Sequence, residues 1–261
     1  MHWFVTDETN KNSVAGQFFI YGGLVVTDEQ TVQINDAVAN IRSRYGYLPG
    51  DSFKFNLKSQ PQHVEREQSK AAKQEIVAKL EEIGARMIVY VILHDIAASK
   101  TDEEVMNYAL NTVASSYHAL LIDEGAYGLM LIDRADEQHA HLGSLFQLGI
   151  NIDNWTAPLA DKIVLFGMTA NNESHLSSAV DIALGAFRYC VNTAGGSGSE
   201  LVASEIFPPL ARIIWGKSTG EGRRLGGYGY VSRPVEVRSA AYAAHYTTLA
   251  SSLERYSGGN V

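Results

Sequence analysis

The chain of 261 residues has a single cysteine, Cys190, six prolines and no apolar run longer than seven residues. One thiol cannot form an internal disulfide, which excludes a cystine-stapled scaffold and fits a reducing compartment. The longest apolar stretches, 87–93 and 129–132, fall far short of the roughly 20 residues that span a membrane. The first residues lack both a basic start and an apolar core of about 7–15 residues, so no secretory leader is expected and a cytoplasmic placement follows. Positive charge is also scarce. A net charge of −8 argues against indiscriminate wrapping of nucleic acid, because phosphate binding is driven by Lys and Arg. Residues 200–261 carry seven basic and five acidic side chains, against 14 and 24 before them, so any polyanion contact is expected in the later segment.

Several chemistries are missing as well. There is no G-x-S-x-G elbow and no G-x-x-x-x-G-K-[ST] loop. The glycines at 195–198 follow a helix pattern rather than a strand, which is the wrong context for a phosphate loop. His139 and His141 are two residues apart, so a helix would send them to different faces and a zinc site there is not expected. Cys190 reads as a small core residue.

What the sequence does contain is a globular pattern, 46 % hydrophobic, in which strands and helices alternate. Residues 3–6 and 17–26 read as a hairpin. Helices are expected over 32–45, 65–83, 101–121, 135–148 and 176–191, with strands at 87–93, 127–132 and 163–166. Residues 52–55 read as a short strand or an ordered loop. The rhythm implies an α/β fold, a mixed sheet of an antiparallel hairpin followed by parallel units, with helices on both faces. Ala194 to Glu200 reads as a linker by composition. Beyond it a helical C-terminal extension (196–261) is expected, with helices near 207–215 and 237–256 and a long Gly/Arg/Tyr loop at 216–234. In that loop Arg223, Arg224 and Arg233 with the "GGYGY" tyrosines are the candidate nucleic-acid contacts, weighed against a plain surface loop.

Of three candidate acids, two stand where ligands bind in open α/β sheets, beyond the carboxyl ends of strands, and the third flanks a buried helix stripe, where an acid is costly without a partner. Asp7 ends the first strand, Asp133 ends 129–132, and Asp181 flanks the stripe Leu176, Val180, Leu184, Phe187 and Val191. Should they converge, mutual repulsion demands a cation, a basic neighbour or a raised pKa, and hard oxygens favour Mg²⁺ or Mn²⁺. Strand alternation sends Asp7 one way and Glu8 the other, so the two are not expected as equal partners unless the turn starts between them. Lys54, between Phe53 and Phe55, is a candidate for offsetting charge. His175 reads as a cap or a proton shuttle.

The ordered set "VTDETN" (5–10), "FFIYGGLVV" (18–26), "DSFKF" (51–55), "LMLID" (129–133) and "LSSAVDIALGAFRY" (176–189) resembles the domain-of-unknown-function 3800 family, itself similar to the ribonuclease H-like superfamily. The resemblance covers residues 3 to about 190 and implies a ribonuclease H-like domain over 1–195. It implies metal ligands at Asp7, Asp133 and Asp181, further site residues at Glu8 and Lys54, and hydrolysis of DNA or RNA phosphodiesters. The chain departs from the pattern at three places. Asn10 stands where glycine is expected, Ser52 where a glutamate is, and Ser178 where a glutamine is; Asp51 is the nearest substitute for the missing acid. The alternative reading is therefore a catalytically degenerate interaction protein, a homo-oligomer or a subunit of an assembly or of a host–phage conflict system.

Overall fold

The computed structural model describes residues 1–134, 138–152, 155–169, 174–220 and 222–258. Strands β1 (His2–Thr9) and β2 (Phe18–Thr27) form the expected antiparallel hairpin. Their backbones approach closely at Gly23, where an added Cβ would lie 1.8 Å from the Val5 carbonyl oxygen. Only glycine fits there. Helix α1 (Asp28–Arg44) opens on a capping box: Thr27 Oγ1 accepts from the Gln30 amide, and Gln30 Oε1 accepts from the Thr27 amide. Helix α2 (Arg66–Ile83) buries Ile76, Val77 and Leu80 and ends at Gly84, whose φ of 76° is the left-handed cap expected of glycine.

Then follow β3 (Arg86–Leu93), the short α3 (His94–Ala97), and α4 (Asp102–Asp123), whose Thr101–Glu104 capping box forms as its sequence implies. Next come β4 (Gly128–Asp133), α5 (His139–Leu148), β5 (Ile150–Ile152), β6 (Trp155–Ala157) and β7 (Ile163–Thr169). The first residues of the expected helix 135–148 lie outside the described set. The chain closes with α6 (His175–Ala194), α7 (Glu200–Ile213), β8 (Lys217–Thr219), β9 (Gly222–Arg224), β10 (Tyr230–Arg233) and α8 (Ala240–Tyr256).

Six strands form one mixed sheet in the order β10-β3-β2-β1-β4-β7. Strands β4 and β7 run parallel to β1, as expected after the hairpin. Strand β3 departs from that expectation, because it pairs antiparallel with β2. Two helices, α1 and α2, separate β2 from β3, and a pair of helices returns the chain to the end it left. Only one crossover helix would have made the pair parallel.

Helices cover both faces. Val5, Leu24, Val89 and Val91 pack with residues of α1, α2, α6, α7 and α8, while Phe4, Tyr21, Ile88 and Met130 pack with α4 and α5. The residues after 196 belong to the same core: Phe207 and Leu210 are buried in it, and β10 adds an edge strand beside β3. The stretch read as a linker is an ordered turn, with the Ser199 amide donating to the Tyr189 hydroxyl at 3.0 Å. The 216–234 loop is likewise structured, as the β8–β9 hairpin and β10. Arg223 donates to the carbonyls of Arg212 (2.7 Å) and Ile214 at the end of α7, Tyr228 packs on Trp215, and Tyr230 packs on Phe187.

These contacts correct the expectation that Arg223 and the two tyrosines reach out to nucleic acid, since the carbonyls left over at a helix C-terminus claim the guanidinium first. Arg224 stays exposed, and the Arg233 carbonyl accepts from the Tyr246 hydroxyl. Arg223→Ala should lower unfolding stability by about 1 kcal/mol, as expected for charged hydrogen bonds lost from exposed and part-buried carbonyls. Urea titration of the two proteins measures this. No helix among the described residues is long and apolar enough to cross a membrane.

Candidate metal centre

Strand register brings the first two acids together. Val5 and Leu131 are partners in the parallel β1–β4 ladder. Two residues further along each strand stand Asp7 and Asp133, on the same face of the sheet as Val5 and Leu131. That face is the one α6 covers. Glu8 has the opposite parity, but β1 has by then outrun its pairing with β4, and its longer side chain turns back there. Asp7, Glu8 and Asp133 each offer a carboxylate oxygen, all within 4.8 Å of one another. The expectation that Glu8 would stand apart from Asp7 is corrected: its carboxylate joins the other two although β1 is still paired with β2 there, Glu8 opposite Tyr21.

Three acids this close cannot all stay charged without help. Burial, the Glu8 charge and, more weakly, Asp133 and Asp181 push the Asp7 carboxyl up to about 7, even though Asp7 Oδ1 accepts the Glu8 amide at 2.8 Å. Lys11 supplies part of the missing positive charge through an ion pair with Glu8. Burial works against the Lys11 ammonium, yet the hydrogen bond and charge of Glu8, with Asp7 and Asp133 behind, raise it above its ordinary value. Its side chain is 62 % exposed, so it can leave Glu8 with little loss of packing.

Asp181 lies outside the 4.8 Å trio, although Asp7 feels its charge. Its Oδ2 accepts the Phe55 amide at 2.6 Å, while Lys73 Nζ donates to the Phe55 carbonyl at 3.1 Å. The backbone of Phe55 is thus clamped between α6 and α2. Burial raises the Asp181 carboxyl against that amide bond and the charges of Lys54, Arg188 and Lys73. Burial pushes Lys73 down to about 8, with Asp181 resisting. Arg188 donates to Thr9 Oγ1 and lies over the Phe55 ring at 5.9 Å. Residues 52–55 are accordingly an ordered loop that sets Lys54 near Asp181.

The loop can sit this close because α6 has a glycine beneath it. A Cβ on Gly185 would lie 2.3 Å from Phe55 Cβ and Cγ. Gly185→Ala must therefore displace Phe55, and a loss of about 1–3 kcal/mol is expected from overpacking, despite the better helix propensity of alanine. A thermal melt compared with wild type checks this; an alanine protein as stable as wild type or more so contradicts the close packing.

Other candidates go elsewhere. Asp51 accepts the Leu48 amide and pairs with His63, so it does not replace the acid absent at Ser52. Ser178 is buried in α6, His175 opens that helix with its imidazole held below the ordinary value by burial and by Arg42, and His141 bonds Asn111. Cys190 is buried in the core, as expected. The sequence reading missed Lys11, Lys73 and Arg188. Lys73 carried a usable signal, because it precedes Ile76, Val77 and Leu80 at helical spacing and so occupies the inward stripe of α2, where a lysine needs a partner. Arg188 is seven residues after Asp181, two turns along one helix face.

Three hard oxygen donors, with neither imidazole nor thiolate in the set, fit Mg²⁺, Mn²⁺ or Ca²⁺ better than zinc. No family model, no curated protein and no solved structure matches this chain.

Proposed function

We propose that this protein is a divalent-metal-dependent nuclease of ribonuclease H-like type that hydrolyses phosphodiester bonds of DNA or RNA. Asp7, Glu8 and Asp133 would hold Mg²⁺ or Mn²⁺, with Asp181 as the neighbouring acid on the helix. The observation that carries this is the trio itself: three carboxylates within 4.8 Å at the ends of adjacent central strands, one of them pushed up to about 7 by burial and by the charge of Glu8. Such an ion acts as a Lewis acid on a phosphoryl oxygen and lowers the pKa of water.

The side chains divide the remaining work. Asp7 would hold the ion as a carboxylate, and Glu8, paired with Lys11 in this structure, would turn from that ammonium to the ion. Lys11 is then free to pair with substrate phosphate. Lys54 and Arg188, whose charges already act on Asp181, are the cations for the negative charge that develops at phosphorus. Asp181 and Lys73 position Phe55, and with it Lys54.

A second reading, an interaction protein without turnover, is favoured by one observation: Asp51 is tied to Leu48 and His63, so the 51–55 loop adds no acid to the trio. A melt in MnCl₂ against EDTA separates the two. With metal at a hundredfold excess over Kd the nuclease reading expects a rise of about 5–10 °C, from the mass-action gain of a native-state ligand in a domain of this size. An unchanged melting temperature at millimolar manganese favours the second reading.

A further inference from the structure

We infer that the cavity between the β1–β2 loop, α3 and α4 takes a nucleobase of the strand whose backbone lies on the three carboxylates, an inference that rests on the nuclease reading. The cavity measures about 420 Å³, within the usual range for small-molecule sites. Phe19 and Met106 give it apolar walls suited to a flat ring. Gln138 also lines it, is only 2 % exposed, and its Oε1 accepts no hydrogen bond from any described residue. A buried acceptor left in this state calls for a donor, and every nucleobase supplies one, from the exocyclic amine of adenine, cytosine or guanine or from the ring N–H of guanine, thymine or uracil.

Charge narrows the class further. Lys11 and Lys100 reach the cavity, but Glu8 holds the first and Glu104 the second, at 3.6 Å. Asp102 and Glu103 add negative charge on the same wall. With Glu104 on Lys100, and with Lys11 assigned to the phosphate at the carboxylates, a second phosphate or a carboxylate in the cavity would face Asp102 and Glu103, which do not repel an uncharged base. Lys11 also fixes the location, since the side chain that pairs with Glu8 of the trio is itself part of the cavity lining. A strand with its phosphate at the acids has its next base one side chain from the opening.

The test is fluorescence anisotropy of labelled single-stranded DNA and RNA 12-mers with the full chain in CaCl₂, for wild type, Ala98→Trp and Gln138→Leu. Ala98 is exposed at the lining, so tryptophan there fills the opening without entering the core. Ala98→Trp should weaken binding about tenfold, a typical loss for one base contact, and Gln138→Leu should weaken it in the same direction by removing the acceptor for a base N–H. An oligonucleotide with one abasic position scanned along its length should reproduce the loss in wild type at one position, with no further loss in Ala98→Trp. The manganese-dependent melting shift should be equal in all three proteins. Unchanged binding in both variants, or no binding by wild type, overturns the inference and leaves a cavity that takes only water. Absence of the manganese shift in wild type marks failure of the metal reading instead.

Discussion

Asp133→Asn should abolish manganese-dependent cleavage of labelled oligonucleotides, by at least about 100-fold, while the protein still folds. On the proposed nuclease reading, the expected size follows from removing one preorganised charged group where phosphoryl charge would be balanced. Asparagine keeps the shape of the side chain and one oxygen but loses the charge that a hard cation requires. Asp133 lies at the end of β4, half-buried, and its backbone remains paired with Thr169 of β7. The sheet therefore has no reason to unravel. Paired measurements on wild type and variant would be the cleavage rate by gel and the melting temperature with and without MnCl₂. Loss of both signals is the expected result. Cleavage that persists at the wild-type rate would place the activity outside these acids.

The second large effect runs opposite to the usual rule that mutation destabilises. In the metal-free protein Asp7→Asn should raise stability by about 1–3 kcal/mol above neutral pH, because the native state holds this carboxyl at about 7, against about 3.9 in the unfolded chain. The sign follows from proton counting. Between those two values the native state binds more protons than the unfolded state, so this group's contribution to stability falls as pH rises from about 4 through 7. Above 7 both states are ionised, and the full cost remains as repulsion and desolvation. Asp181, raised by burial, adds in the same direction. The metal-free wild type should lose melting temperature across that window relative to Asp7→Asn, and saturating Mn²⁺ should remove the difference. Binding of the ion should itself strengthen with pH as Asp7 releases its proton. A variant no more stable than wild type at pH 8 would show that the trio is already neutralised.

This trade of stability for a charged site bears on what could be read from the chain beforehand. Asp7 and Asp133 are legible because each ends an apolar strand pattern, and an acid in that position is either solvent-facing or functional. The alternation that identifies the strands also hides Glu8, since a period of two assigns it to the far face. Its carboxylate joins the other two just past the end of the β1–β4 pairing, with β1 still paired to β2. Asp181 is legible as an acid beside a buried stripe, but its bond to the Phe55 amide depends on a loop seated over Gly185, a contact between residues 130 apart in sequence that no local pattern encodes. The capping boxes at Thr27 and Thr101 are local, and the one at Thr101 was legible for that reason. The direction of β3 is misread although both intervening helices are expected, because the one-helix rhythm of parallel units does not extend to a connection whose two helices return the chain to the end it left. The C-terminal segment misleads through composition: glycine and arginine suggest a mobile basic loop, whereas Arg223 closes the end of α7.

The most direct measurement is a crystal structure of the protein grown with MnCl₂, with data collected at a wavelength where manganese scatters anomalously. The account predicts a peak among the carboxylates of Asp7, Glu8 and Asp133, with Lys11 withdrawn from Glu8. A map with no anomalous density there, and Lys11 still paired with Glu8, would contradict it.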